Sequence, residues 1–339
     1  ADFLKKRGEE IFKQMKTQYS IRDRNQALFA KKMSEFGEIP PTLDISTKMA
    51  SYPHTQWMLG QLTAKLTRIA NTSLNEKELQ KTQKALPDSE KPWKTPGELL
   101  VTMAPDVGTS TNLNPAMDGK IFGAPVVHDF ETDLGVKDNK LPDLVPGEEV
   151  SDRYLRFEIS ESNVMSCMGS FGRIRDTLGI PMLPLMTVYD FFIKRALDQY
   201  FYNLYWKSSF ILVGTPSGVT LSPEGAQHGW KSDIQIPNQI TWEPFFCQEL
   251  DWILCDAIKR HMTYDNVGRN GVLIRGVTRG IEQKDFLTNL KRQRRFKEDQ
   301  SSLLCRTEFP LESAIDETQV SNVDEQTIMN QVREDVLKG

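Results

Sequence analysis

Short apolar segments alternate with longer helical segments between Asp44 and Glu282, and this alternation does most to limit the possible folds. Four of the apolar segments are, in chain order, LLVTMAPDV, PMLPLMTVYD, SFILVGTPSG and GVLIRGVTR. Helical periodicity runs from Ser46 to Ala70, from Phe192 to Tyr205 and from Cys247 to Met262. Strands that alternate with helices form a parallel sheet covered on both faces. The sequence therefore predicts an α/β fold with a doubly wound parallel sheet.

The chain divides into three unequal parts. Residues 1–44 predict a charged helical arm and linker that ends near Pro40 and carries a narrow apolar stripe, formed by Phe3, Leu4, Ile11, Phe12 and Met15. Residues 45–285 hold the predicted α/β domain, with long insertions at about 75–97 and 114–149. Residues 286–339 are first basic and then polar, which is typical of a surface extension.

Composition argues against two classes of function. No apolar run approaches the roughly 20 residues that a membrane-spanning helix needs. The net charge of −4 over 339 residues gives no broad electrostatic reason to bind nucleic acid. The four cysteines are widely scattered, as expected in a reducing compartment, so we expect the mitochondrial matrix or otherwise the cytoplasm. The chain begins at Ala1 without methionine, which is compatible with removal of a targeting peptide.

A glutamate, Glu161, lies where an extended segment turns into a helix. Leu155, Phe157 and Ile159 alternate as in a strand. Helical spacing then takes over at Val164, Met165, Met168 and Phe171. Because open α/β sheets bind ligands at the carboxyl ends of their strands, Glu161 is a candidate site residue. The alternative is a solvent-exposed acid that the helix dipole favours at a helix start.

Several motifs in the domain resemble one family in residue type and spacing. The segments PLMTVYDFFIKRALDQ, SSFILVGTPSGVTLSPEGAQHG and DIQIPN, together with DVGTSTNL at Asp106 to Leu113, are similar to the corresponding run of the transketolase superfamily. That superfamily includes transketolases, 1-deoxyxylulose-5-phosphate synthases and the decarboxylating component of pyruvate dehydrogenase. The resemblance extends from about Ser46 to Glu282 and implies a transketolase-like pyrimidine-binding domain.

The resemblance implies a catalytic role for Glu161 and His228. In this family a glutamate at the strand-to-helix junction bonds a ring nitrogen of the aminopyrimidine of thiamine diphosphate, which activates the cofactor. The family's common pattern before this glutamate is Gly-Ile-x-Glu, whereas this chain has Glu158-Ile159-Ser160-Glu161. His228, in PEGAQHG, matches a histidine on the substrate side that donates to a developing alkoxide. The alternative for His228 is an ordinary loop histidine.

Three further residues follow from the same resemblance. Phe192 is the first candidate for stacking on the pyrimidine ring and Tyr189 the second, and the alternative is that both are core aromatics. Arg195 matches an arginine that reaches an anionic substrate group in the sugar-phosphate enzymes. Its alternative role is an ion pair on a helix surface.

The family's diphosphate-binding motif, Gly-Asp-Gly followed by an asparagine, does not occur in the sequence. The resemblance therefore implies that magnesium and the diphosphate are held by a partner chain that carries a diphosphate domain. Two functional hypotheses follow. The chain is either the pyrimidine half of a shared thiamine diphosphate site, or a catalytically inactive accessory subunit of a large, mitochondrial multi-subunit complex.

Overall fold

The computed structural model describes residues 2–50, 52–75, 77, 79, 84–113, 116, 153–217, 239–262, 271–283, 330, 333 and 334. The α-helices within these ranges are α1 (Asp2–Phe36), α2 (Thr55–Asn71), α3 (Lys94–Leu99), α4 (Glu161–Leu178), α5 (Leu197–Tyr205) and α6 (Cys247–Met262). Short 3-10 helices are formed by Thr47–Met49, Lys91–Trp93 and Asp190–Ala196. The strands are β1 (Leu100–Ala104), β2 (Tyr154–Arg156), β3 (Leu183–Val188), β4 (Phe210–Gly214), β5 (Gln239–Trp242) and β6 (Gly271–Arg275).

The strands form one sheet in the order β2-β1-β3-β4-β6-β5. Every neighbouring pair is parallel, so the predicted α/β fold with a parallel sheet is confirmed. From β1 the chain moves to β2 on one side, and β3 then returns to the other side of β1. This change of direction places a topological switch point, where ligands bind in such sheets, at the carboxyl ends of β1 and β3.

Helices cover both faces of the sheet because alternate strand residues point in opposite directions. In β1, Leu100 and Ala104 belong to the core beneath α2 and α6. Val101 and Met103 belong to the second core beneath α4 and α5. The central strands β1, β3, β4 and β6 are buried along their whole length. Continuous burial explains why their sequences read as uninterrupted apolar runs.

The helix that the periodicity predicts from Ser46 begins instead at Thr55. Pro53 accounts for the difference, since a residue before proline is disfavoured in the helical region. His54 is extended, and its Nδ1 accepts a hydrogen bond from the backbone N–H of Trp57 at 3.1 Å, which caps the new helix start. The strand predicted through Ile159 is also shorter, since β2 ends at Arg156 and Ile159 is exposed.

The predicted N-terminal helix is present as α1, and its second half packs on the domain. Phe29 is buried in the core beneath α2 and α6. The side-chain amide of Asn25 donates to the backbone carbonyl of Leu178, at the end of α4, with a distance of 2.7 Å. These contacts attach the arm to both helical layers of the domain.

The first half of α1 exposes an apolar face. Leu4, Ile11 and Met15 are 72%, 43% and 45% exposed. At 100° per residue they lie within about 40° of the direction of Phe29 and Met33 on the helix wheel. The face that packs into the core therefore continues beyond the domain. Among the described helices, none combines the length and the apolar character that crossing a bilayer requires.

His261, near the end of α6, ties α6 to the sheet and to α4. Its ring is 2% exposed, and Nε2 donates to the carbonyl oxygen of Met182, just before β3. Arg175 of α4 donates from Nη1 to the carbonyl oxygen of His261 at 3.0 Å. Burial, followed by the positive charge of Arg175, lowers the pKa of His261 to about 3. The ring is therefore neutral in the folded chain over most of the acidic range.

Acidification is expected to destabilise the wild type more steeply than a His261→Gln variant. The unfolded histidine takes up a proton as the pH falls below its ordinary pKa of 6.5, whereas the folded one does so only near its pKa of about 3. Between these values the histidine lowers the free energy of unfolding by up to about 1.4 kcal/mol for each unit by which the pH falls. Urea unfolding of both proteins across this range measures the difference in slope. Parallel curves would contradict the assignment.

Candidate functional site

Glu161 is the first residue of α4 and follows the end of β2, at Arg156, after a connection of four residues at the carboxyl edge of the sheet. It is 5% exposed, so the alternative of a solvent-exposed acid is wrong. Its carboxyl group lies at the helix N-terminus, where the helix dipole favours negative charge. The chain therefore places a buried acid at the edge where ligands bind in this type of sheet.

Glu161 forms an ion pair with Arg195 of the 3-10 helix that follows β3. Arg195 Nη1 lies 3.2 Å from Glu161 Oε1. The hydroxyl of Ser162 also donates to the backbone carbonyl of Arg195, at 2.7 Å, so both the side chain and the backbone of this arginine contact α4. The Arg195 side chain is 51% exposed, compared with 6% for that of Glu161. Arg195 can therefore turn into solvent while Glu161 stays in place.

Phe192 lies next to this ion pair. The guanidinium carbon of Arg195 is 4.0 Å from the centroid of the Phe192 ring, which is a cation–π contact. The ring of Tyr189 is tilted against that of Phe192, with centroids 6.0 Å apart. The structure thus brings four of the predicted site residues together, and a planar guanidinium contacts both the carboxylate and the aromatic ring.

Tyr189 connects this cluster to the switch point. It is 7% exposed, and its hydroxyl donates to Ser110 Oγ at 2.8 Å, in the turn after β1. In the same crevice a hydrogen bond of 2.8 Å joins the hydroxyls of Thr111 and Thr187. The ring of Tyr189 is therefore packed while its polar tip is fixed at the carboxyl ends of β1 and β3.

A buried ion pair beneath the cluster was not foreseen from the sequence. Asp190 is fully buried and Arg275, at the end of β6, is 5% exposed, with 3.4 Å between Arg275 Nε and Asp190 Oδ1. Ser217 donates to the other oxygen of Asp190 at 3.2 Å. A Cβ atom at Gly214 would come within 2.7 Å of Asp190 Oδ1, so glycine is required there. The available signal was an arginine that ends a buried apolar strand, GVLIR.

A second polar group, also missed, ties α2 to the same edge. The Thr215 hydroxyl donates to Gln56 Oε1 at 2.6 Å, and Gln56 Nε2 donates to the carbonyl oxygen of Ser110 at 2.8 Å. Gln56 is 6% exposed and Thr215 is fully buried. These bonds hold the ends of β1 and β4 together below the crevice. The sequence signal was weak, because single Gln and Thr residues occur in many helices and turns.

His228 lies outside the described residues, so its predicted role on the substrate side stays a prediction. Within the described ranges, no group of three or more His, Cys, Asp or Glu side chains is placed to hold a metal ion. The chain's candidate site is therefore the cluster of Glu161, Arg195, Phe192 and Tyr189.

No protein-family model and no curated protein matches the sequence. Among solved structures the chain is similar to a split-gene transketolase, described as an inactive beta4 tetramer, with 14% identity, a TM-score of 0.36 and coverage of 68% of this chain and 52% of that one. It is also similar to Pichia stipitis transketolase, in a variant complexed with fructose 6-phosphate and in a complex with sedoheptulose 7-phosphate. Each has 14% identity and a TM-score of 0.46, covering 83% of this chain and 34% of that one. The chain spans about half of the first structure and about a third of the other two.

Proposed function

We propose that this chain supplies the aminopyrimidine half of a thiamine diphosphate site in a transketolase-like or pyruvate-dehydrogenase-like enzyme. A partner chain with a diphosphate domain supplies the magnesium and diphosphate half. The observation that carries the proposal is the buried carboxyl group of Glu161 at the carboxyl edge of a parallel sheet. The guanidinium of Arg195 contacts both this group and the ring of Phe192. The resemblance of the flanking motifs to the transketolase superfamily supports the same role.

The arrangement around Arg195 tests whether the residues fit an aminopyrimidine. The guanidinium is planar and carries N–H donors; it stacks 4.0 Å from the Phe192 centroid and donates to Glu161 at 3.2 Å. An aminopyrimidine is also planar, has an N–H donor and can stack on an aromatic ring. Arg195 thus makes the contacts that such a ring would make, and the site fits the group once Arg195 has turned outward.

Each residue then has a definite task. The Glu161 carboxyl group hydrogen-bonds to a ring nitrogen and keeps a proton at that nitrogen. Phe192 provides the stacking surface. Tyr189, fixed through Ser110, packs against Phe192 and holds its ring. When bound, thiamine diphosphate supplies a nucleophilic carbon for decarboxylating a 2-oxoacid or transferring a two-carbon unit.

Arg195 and His228 are the proposed contacts to the substrate. Once turned into solvent, the Arg195 guanidinium is free to pair with a phosphate or carboxylate of the substrate. His228 would donate a hydrogen bond from the substrate side. We place the assembled enzyme in the mitochondrial matrix, or otherwise in the cytoplasm, because of its scattered cysteines.

A second candidate is a catalytically inactive accessory subunit of a large multi-subunit complex. The ion pair itself favours it, because Arg195 occupies the carboxylate and the aromatic ring together. The exposed apolar residues Leu4, Ile11 and Met15 of α1 favour it as well, since such a helix face is typical of a contact with another subunit. In this case Arg195 would stay in place permanently.

An Arg195→Ala variant is expected to bind 4-amino-5-hydroxymethyl-2-methylpyrimidine about tenfold more tightly than the wild type. The substitution removes an ion pair and a cation–π contact that the pyrimidine must displace, each worth about 0.5–1 kcal/mol for a half-exposed arginine. Ligand-detected NMR titration of the purified chain measures the affinity, which for so small a ligand is on the order of 1 mM.

Lys194→Ala is the matched control for this substitution. Lys194 is the neighbouring exposed cation and lies over Phe191, 5.0 Å from the ring centroid, rather than over Phe192. Its removal should leave the affinity unchanged. Absence of binding to both the wild type and Arg195→Ala would reject the pyrimidine site and favour the accessory subunit.

A further inference from the structure

A groove of about 400 Å³ lies between α4 and α5, on the helical layer away from α2 and α6. The residues that line it are Ser166, Gly169, Ser170, Arg173, Asp198, Gln199, Tyr202, Asn203, Trp206 and Ser208. The two helices approach closely at Gly169, where a Cβ atom would clash with Asn203 at 1.8 Å. Asn203 also donates to the carbonyl oxygen of Met165 at 2.8 Å. The walls of the groove are therefore firmly joined.

One end of the groove holds two hydrogen-bond donors without acceptors. Ser208 is 1% exposed, and its hydroxyl has no partner in the described part of the chain. Arg173 Nε is likewise buried without a hydrogen-bond partner there, although the guanidinium stacks on Trp206 at 4.3 Å. A buried polar group left without a partner costs about 1–3 kcal/mol. The half-buried Arg173 guanidinium gives the groove a positive charge beside Trp206.

The exposed face of α5 is rich in aromatic residues. Phe201, Tyr202, Tyr205 and Trp206 are 44%, 60%, 79% and 41% exposed. The rings of Tyr202 and Tyr205 both contact that of Trp206, with centroid distances of 5.7 and 6.0 Å. Exposed Tyr and Trp next to an arginine are typical of protein interfaces.

Asp198 provides the acid that matches Arg173. It lines the same groove, at the start of α5, and is exposed with no ion pair to the described residues. Asp198 and Trp206 are eight residues apart, which is about 12 Å along a helix, with Tyr202 midway between them. Positions spaced by four share one side of a helix, so the acid, the central tyrosine and the arginine-bound tryptophan lie in a row.

We propose that two copies of this chain associate through α5, antiparallel about a two-fold axis near Tyr202. An isologous contact makes each interaction twice. Arg173 then meets Asp198 of the partner subunit at one end, and the reverse pair forms at the other end. The incoming carboxylate pairs with the Arg173 guanidinium, while the exposed aromatic side chains pack around the axis. The groove is self-complementary in charge, which favours a second copy over other occupants.

Charge reversal tests this dimer on the full chain by light scattering coupled to size-exclusion chromatography. Arg173→Asp and Asp198→Arg should each weaken dimerisation by about 100-fold, because each creates two like-charge contacts per dimer. The double variant Arg173→Asp/Asp198→Arg restores opposite charges and should recover the dimer. Tyr202→Arg, which places two cations at the axis, tests the same contact without touching the groove's buried end.

Arg24→Asp, an equal charge change on the exposed surface of α1, should have no effect. Circular dichroism checks that every variant is folded. A wild-type chain that stays monomeric up to about 100 μM would overturn the proposal, because its dissociation constant would then be weaker than that of a specific dimer. A dimer that both single reversals leave intact would overturn it as well.

Discussion

A Glu161→Gln substitution is expected to lower the turnover of the proposed composite enzyme by roughly 100- to 10,000-fold. Glutamine keeps the length of the side chain, and its amide oxygen can still accept the hydrogen bond from Arg195. It has no carboxyl group to hold or exchange a proton with the pyrimidine ring. Because Glu161 is 5% exposed, water cannot readily take over this role. The loss should therefore appear in kcat rather than in assembly.

The measurement uses the chain reconstituted with the proposed diphosphate-domain partner, magnesium and thiamine diphosphate. Glu158→Gln is the matched control, since Glu158 is an exposed acid only three residues earlier and should tolerate the change. Size-exclusion chromatography shows whether the complex still forms. Unchanged turnover in an intact Glu161→Gln complex would exclude Glu161 as the activating acid.

The sequence predicted the sheet well where strands are buried on both faces. β1, β3, β4 and β6 read as apolar runs because helices cover both of their sides. β5 was not recognised, since it is a partly exposed edge strand of four residues, QITW, with a mixed composition. The start of α2 was placed too early because periodicity does not report the effect of Pro53 on its neighbours.

The candidate site was predicted as a set of residues but not as a set of contacts. Glu161 and Arg195 follow different strands, and parallel topology places both at the carboxyl edge. Their ion pair joins residues 34 positions apart, and periodicity contains no information about side-chain rotamers across such a separation. The contact between Asp190 and Arg275 spans 85 positions and was missed for the same reason.

An Arg275→Met substitution is expected to lower the free energy of unfolding by about 3–5 kcal/mol. Asp190 is fully buried, so removal of Arg275 leaves a carboxylate that water cannot reach. Glu243, which lies 2.9 Å from Arg275 Nη1, is 43% exposed and can be hydrated instead. Since single domains are usually stable by about 5–15 kcal/mol, this is a large share of the total. Urea denaturation followed by circular dichroism measures the change.

The double variant Asp190→Asn/Arg275→Met distinguishes two contributions to the free energy of unfolding. One is the cost of burying a charge without its counter-charge, and the other is the stabilisation that the ion pair provides. It should recover most of the lost stability, because a neutral amide is far cheaper to bury than a carboxylate that has lost its counter-charge. Arg7→Met is the control, since Arg7 and Glu10 form an exposed pair whose loss should cost at most about 0.5 kcal/mol. Equal losses in the single and double variants would show that the charge of Asp190 is not the cause of the lost stability. Asp190 begins the 3-10 helix that carries Phe192 and Arg195. If this buried pair positions the site, the double variant should bind the pyrimidine probe more weakly than the wild type even though its stability is recovered.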